Sequence, residues 1–179
     1  MFRRMFFSLS LIAAFAVPSF GQTLKVDKEK SKIDFVGKKS DGKHKGGFKD
    51  FKSEVKVDME SPNKSSITME IISDSLWSDD EKLTTHLKSP DFFDTKKYPS
   101  IKFESSKIEV NDNKATITGK MTMLDKSVEV TIPTTTDIND KALTLTAEFK
   151  IDRTKWGMVY GKGKVDDEVE LKVVLMFPR

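Results

Sequence analysis

A two-residue alternation of apolar and polar side chains recurs from about Ser31 to Phe177, and it leaves this chain few folds to choose from. It is cleanest near the C-terminus, where Val169, Leu171, Val173, Leu175 and Phe177 alternate with Glu168, Glu170, Lys172, Val174 and Met176. Side chains on a strand point to opposite faces with period two, so the pattern describes sheet with one dry face and one wet face. With little helix available as cover, such a sheet has to close on itself or stack as a sandwich. A closed barrel of about eight strands has an interior just wide enough for its own side chains or for one small ligand.

The alternation places a short strand near 24–27 and longer ones near 31–38, 44–59, 65–73, 101–110, 114–124, 126–136, 141–152 and 167–177. The expected inward residues begin with Ile33 and Phe35, then Phe51, Val55, Val57 and Met59, then Ile67, Met69 and Ile71, then Ile101 and Phe103. They continue with Ala115, Ile117, Gly119, Met121 and Met123, with Val128, Val130 and Ile132, and with Leu143, Leu145, Ala147, Phe149 and Ile151. Between Phe103 and Ile108 the apolar parity flips, as a bulge requires. Ser61-Pro62-Asn63, Asn111-Asp112-Asn113, Leu124-Asp125-Lys126 and Asn139-Asp140 are turn-forming stretches between these runs, which predicts mostly up-and-down antiparallel order.

The one long connection runs from Asp74 to Pro99. Ser78-Asp79-Asp80-Glu81 offers a cap with acids in the first turn, and Leu83 and Leu87 share a face, which predicts a helix over 79–87. Pro90 opens a second helical turn carrying Phe92 and Phe93, and Pro99 stops it. A helical connection over about 79–94 is thus placed to roof one end of the barrel.

Residues 1–21 read as a secretory signal: Arg3 and Arg4, an apolar stretch from Phe6 to Val17, and Ser19-Phe20-Gly21 as the small-x-small cleavage pattern. The apolar stretch is shorter than the roughly 20 residues that span a bilayer, so no integral span is expected after cleavage. This predicts a periplasmic or secreted protein whose single domain covers 22–179. The chain has no Cys, which rules out disulfides and a lipoprotein anchor on an N-terminal cysteine. Its 31 Lys and Arg against 28 Asp and Glu are interspersed along the strands, the surface of a solvated protein and not a nucleic-acid footprint. No Gly-x-Ser-x-Gly elbow, Gly-rich phosphate loop or spaced triad is present, so catalysis is not expected. With two histidines a His-based metal site is not expected either, and no cofactor is predicted. A membrane-spanning barrel would turn the apolar face outward, and Lys, Glu and Asp on the polar face of nearly every strand argue against it.

Residues 86–103, HLKSPDFFDTKKYPSIKF, form the most specific string in the chain, and they resemble the signature of the YceI-like family of lipocalin-like, lipid- and polyisoprenoid-binding proteins. Asp27 with Ser31, Ile33 and Phe35 is similar to the family's opening strand, and Gly47, Phe48 and Phe51 to its Gly-x-Phe segment. Residues 151–157, IDRTKWG, followed by 167–171, DEVEL, resemble its closing pattern. Lys30, Leu83-Thr84 and Asp125 depart from many relatives. The resemblance implies an all-β, extended antiparallel eight-stranded barrel, a periplasmic address and a long apolar pore for an isoprenoid or similar lipid chain.

On that footing the residues expected to line a lipid tail are Phe35, Val55, Met69, Ile71, Phe103, Ile117, Gly119, Met121, Val130, Leu145, Ala147, Phe149, Leu171 and Val173. Trp77, His86, Phe92, Phe93, Arg153 and Trp156 are expected at the pore mouth or the head group. His86 could donate to a head group and Arg153 could grip one with its planar fork, or Arg153 could instead pair internally with Asp152 or Asp167. The predicted function is binding of the apolar tail of an amphipathic lipid, a polyisoprenoid or fatty-acid derivative, for carriage, storage or sensing in the cell envelope. The alternative is a packed barrel that serves as an envelope or stress-related protein-interaction module. Apolar periodicity alone does not separate a filled core from an open lumen, and it leaves the oligomeric state open, a homodimer included.

Overall fold

The structure is a computed structural model that describes residues 21–40 and 42–179. Residues 1–20, and with them nearly all of the expected leader, lie outside the described residues. Eleven strands make one antiparallel sheet: β1 (Gln22–Lys25), β2 (Lys32–Lys39), β3 (Gly42–Phe48), β4 (Phe51–Val57), β5 (Ser66–Ile72), β6 (Leu76–Ser78), β7 (Ser100–Asn111), β8 (Lys114–Met123), β9 (Lys126–Ile138), β10 (Ala142–Asp152) and β11 (Glu168–Pro178). One α-helix, α1 (Glu81–Leu87), interrupts them.

The sheet curls round until its first and last strands meet. β1 pairs with β4, β2 pairs with β3 on one side and β11 on the other, and the ladder runs on through β5, β7, β8, β9, β10 and β11. Because β1 continues into β2, β3 into β4, and β6 is a three-residue edge piece, eleven strands give eight staves, the lipocalin-like barrel expected from the sequence. The expected strand 44–59 is split at Lys49 and Asp50, whose backbone turns aside to bond Ser75 and Ile72 in the connection. Beyond that corner the expected strand ends at Val57, and Met59, expected to face inward, is 59% exposed in the turn.

The motif residues hold the broken staves together. Asp27 caps the 3₁₀ turn at Lys28–Lys30 by accepting from the Glu29 amide at 3.1 Å. The Ser31 hydroxyl donates to the Asp27 carbonyl at 2.7 Å and accepts from the Met176 amide at 2.9 Å, so it carries the ladder to β11 across the break. The register between β7 and β8 shifts between Ser105 and Lys107, where the apolar parity flips. Gly46 and Gly119 let the sheet bend tightly: a Cβ on Gly46 would stand 2.4 Å from the Phe35 ring, and one on Gly119 2.5 Å from the Glu104 carbonyl oxygen. In each case an aromatic ring packs over the glycine, the usual device of a curved sheet.

One seam of the barrel is incomplete. β9 pairs with β8 along its whole lower half, down to Lys126 against Met123, and β10 pairs with β11 down to Asp152 against Glu168. Between β9 and β10, however, pairing runs only from Leu143 against Ile138 to Ala147 against Thr134. The strands part at Pro133, which has no amide to donate and so suits a position where a ladder stops.

Candidate functional site

The end of the barrel where β9 and β10 part is roofed by the long connection. The α1 N-cap is Asp80, whose carboxylate accepts from the Leu83 amide at 2.7 Å, and the helix is a short seven residues. Its last residue, Leu87, is buried, and the following turns, bonded through Ser89 and Leu87 carbonyls, aim Phe92 and Phe93 at the barrel interior. Phe93 meets Phe48 edge to face at 5.7 Å between ring centres, and Phe48 meets Phe35 at 6.1 Å. A helix over the barrel end that stops at Leu87 is therefore present as expected, though it starts at Glu81, with Asp80 as its cap, and the short β6 precedes it.

Beneath this roof lie two apolar cavities, of about 80 Å³ and about 130 Å³, which share walls at Ile33, Ile71, Ile101, Met121 and Leu171. The first occupies the half of the barrel bounded by Ile67, Ile117, Ile132, Leu145 and Leu175. The second continues to Leu87, Phe92, Phe93, Met158 and Val165 at the roofed end. The far end is shut by Leu24, Val55, Leu143 and Phe177, all buried. The interior is thus a blind apolar passage.

Of the expected tail-lining residues, Met69, Ile71, Phe103, Ile117, Met121, Leu145, Ala147, Phe149, Leu171 and Val173 stand on the walls of the first cavity, and Phe35 on those of the second. Val55, Gly119 and Val130 line neither: Val55 is packed into the closed end, Gly119 is covered by the Phe103 ring, and Val130 lies on the parted margin of β9. Ile33, Ile67, Ile101, Ile132 and Met123 are inward by alternation and prove to be wall residues as well. Met158 and Val165 come from a loop where no period reports which way a side chain points, and only the neighbouring Trp156-Gly157 hints at burial.

The mouth residues fall into three groups. His86 and Phe92 stay at the roofed end: His86 Nε2 is 2.9 Å from the Asp91 carboxylate, and its ring stands 5.1 Å from Phe92 and 4.9 Å from Tyr160. Arg153 and Trp156 are instead structural. Arg153 is 3% exposed, and its guanidinium donates to the carbonyls of Asp166, Met158, Tyr160 and Val165 at 2.7 to 3.1 Å, with Asp167 at 3.5 Å. Its donors are consumed inside the protein, which favours the internal pairing over a grip on a head group. Trp156 is 1% exposed and donates from its indole nitrogen to the Met121 carbonyl of β8 at 3.0 Å. Trp77 lies off the passage, on a separate groove with Asp34, Lys45, Glu148, Glu170 and Lys172. That groove is wider than the passage, but its walls carry exposed ion pairs such as Lys172 with Glu148 at 2.7 Å, so it is a hydrated strand surface.

Inside the passage polar groups are spent. The Thr134 hydroxyl, buried on the first cavity's wall, donates to the Ile132 carbonyl at 3.2 Å. No buried side-chain nitrogen or oxygen among the described residues lacks a partner, and no cluster of His, Asp and Glu there could hold a metal. Such an apolar chamber can take hydrocarbon.

Comparison with known proteins agrees with this architecture. The crystal structure of Burkholderia cenocepacia BcnA superposes with a TM-score of 0.78 at 33% identity, over 84% of this chain and 98% of that one. A Saccharophagus degradans domain described as polyisoprenoid-binding and implicated in plant cell wall breakdown shares the fold, at a TM-score of 0.67 and 10% identity over 86% of this chain and 97% of that one. A Pseudomonas putida UPF0312 protein is 37% identical over 91 residues, which is 50% of this chain and 47% of that protein, so the match spans about half the length of the curated relative. Among the described residues no helix is long and apolar enough to cross a membrane. The YceI-like domain profile matches residues 24–177, and the chain belongs to the YceI-like family.

Proposed function

We propose that this protein binds the apolar tail of an amphipathic lipid, a polyisoprenoid or a fatty-acid derivative, in the barrel interior, and carries, stores or senses it in the cell envelope. The observation that carries this reading is the pair of wall-sharing apolar cavities that runs from mid-barrel to the roofed end. Membership of the YceI-like family supports it, as does the shared fold of a domain described as polyisoprenoid-binding. The envelope address rests on the secretory signal read in residues 1–21.

The mechanism is transfer of hydrocarbon from water to a dry wall. Each methylene buried contributes roughly 0.8 kcal/mol, and association costs on the order of 4–15 kcal/mol in lost freedom, so about ten methylenes are needed merely to offset it. Affinity therefore follows chain length, and a long isoprenoid is a better occupant than a short acid. Met69 and Met121 on the walls, and Met123 near the roof, are unbranched and repack at low cost to widen the passage. The function is binding and not catalysis.

Native mass spectrometry with organic extraction, on protein purified after export, tests the reading. A co-purifying species of a few hundred daltons that extracts as an isoprenoid or fatty chain is the expected result. A clean apo mass together with no binding of added polyprenyl lipids would overturn it in favour of the packed interaction module.

A further inference from the structure

Four large apolar side chains stay exposed among the described residues: Met59, Ile138, Val159 and Tyr160. The first two belong to the closed end of the barrel. Val159 and Tyr160, 56% and 45% exposed, are adjacent and stand at the roofed end, in the loop between Trp156 and Asp166. This loop is built, not slack. Gly157, Gly161 and Gly163 take positive φ of 87°, 68° and 80°, amides of Lys164 and Val165 both bond the Gly161 carbonyl at 2.8 Å, and Arg153 holds the carbonyls on either side. The inner residues of the same loop, Met158 and Val165, are walls of the second cavity. One short segment thus presents apolar side chains inward to the passage and outward to the surroundings.

Its charges have one sign. From residue 153 to residue 165 the chain carries Arg153, Lys155, Lys162 and Lys164 and no acid, and Lys155, Lys162 and Lys164 are exposed. The β2–β3 hairpin joins the loop: the Ser40 amide bonds the Lys164 carbonyl at 3.4 Å, and the Asp166 amide bonds the Lys38 carbonyl at 2.9 Å. Lys43, opposite Lys38 in the hairpin, is thereby brought to the same rim. Of the acids that follow, Asp166 is exposed beside Lys38, Asp167 faces Arg153, Glu168 pairs with Lys150 at 3.1 Å, and Glu170 pairs with Lys38 at 2.5 Å, so the acids beyond the loop are largely set against basic partners. Tyr160 leans its ring on His86 and Phe92 while part of it remains in solvent, the amphipathic placement that suits a headgroup layer.

We propose that the 157–165 loop docks the roofed end of the barrel on an anionic lipid bilayer, with Val159 and Tyr160 entering the headgroup layer and the surrounding lysines meeting its charge. A lipid drawn from that surface would reach the passage beside Met158 and Val165 without crossing water. The docking rests on the tail-binding reading for its purpose, but its test does not depend on it.

Sedimentation with phosphatidylglycerol-containing vesicles and with pure phosphatidylcholine vesicles measures it, on the chain as recovered from cells with its N-terminus fixed by mass. The native chain is expected to partition onto the anionic vesicles and far less onto the neutral ones. One basic side chain near an anionic surface is worth roughly fivefold in binding, so the K162E/K164E variant should lose more than about tenfold. V159D should lose a similar amount, and both variants should melt as the native chain does and bind dispersed polyprenol in solution as it does. Equal partition of native and variant chains, or no preference for the anionic vesicles, would overturn the docking. Vesicle binding by a native chain that takes up no polyprenol would uphold the docking and sink the tail reading alone.

Discussion

Arg153, itself buried, spends its guanidinium on four backbone carbonyls of one loop, and removing a charged donor leaves the buried Met158 carbonyl without a partner and weakens the hold on the other three. Arg153→Met is expected to cost about 3 kcal/mol or more in urea unfolding, and Arg153→Lys to recover only part, because an ammonium cannot span the fork. A loss under about 1 kcal/mol would show that the loop is held by other means. Gly119 and Ala147 illustrate how far a sequence reaches at this scale. Both are small and inward by period, and both are natural places to look for a lumen. Gly119 sits opposite the register shift of β7, where a Cβ would meet the Glu104 carbonyl at 2.5 Å, whereas Ala147 stands on the cavity wall. Gly119→Ala should therefore destabilise by about 1–3 kcal/mol, read from the urea midpoint, and reports on the bend and not on ligand entry.

At the scale of elements, the strands were legible because period two survives in every stave, and the bulge near Ser105 was legible because it inverts that period. The corner at Lys49 and Asp50 was not, since the apolar parity gives no sign that the backbone leaves the ladder to bond the connection. Nor was the seam between β9 and β10, which depends on where two distant strands diverge. Hydrogen exchange resolves it: in residues 126–132 and 148–152, amides aimed at the seam should exchange fast while those aimed at β8 and β11 stay protected. Uniform protection would mean that the strands pair fully in solution. The turn that follows β10 carries a pH signature. Asp152 accepts from the Thr154 hydroxyl at 2.6 Å and its amide at 2.9 Å, which holds its carboxyl below the ordinary range, and Asp79 is lowered by the Lys45 amide and by His44. A carboxyl with a depressed folded pKa contributes stability that is present above its unfolded value of about 3.9 and is lost as pH falls through the folded value. The melting temperature should drop as pH falls below about 4, and Asp152→Asn should start lower at neutral pH and show a shallower acid limb. An unchanged limb would mean that other carboxyls carry the acid sensitivity.

For the molecule as a whole, a ligand that binds only the folded chain raises its stability by mass action, by about 2.7 kcal/mol at a hundredfold excess over the dissociation constant. In a domain of this size that is roughly 5–10 °C in melting temperature. Thermal melts with and without a long polyprenol should show this rise for the native chain and lose it in Ala147→Phe, whose ring would occupy the passage. A rise that persists in the variant would place the ligand elsewhere. The alternation determined the class of fold, the turns and the inward face, because each depends on neighbours a few residues apart in sequence. The motif strings pointed to the family, and in this chain their Asp27, Ser31, Asp152 and Arg153 make bonds to residues within a few positions in sequence. Only the tertiary structure showed that the interior keeps two adjoining apolar cavities rather than a core filled throughout. That outcome depends on how side chains from eight staves meet across a common space, and on where α1, Phe92 and the 157–165 loop come to rest over one end. Volume left between distant residues is a property of their arrangement, and no period along the chain encodes it.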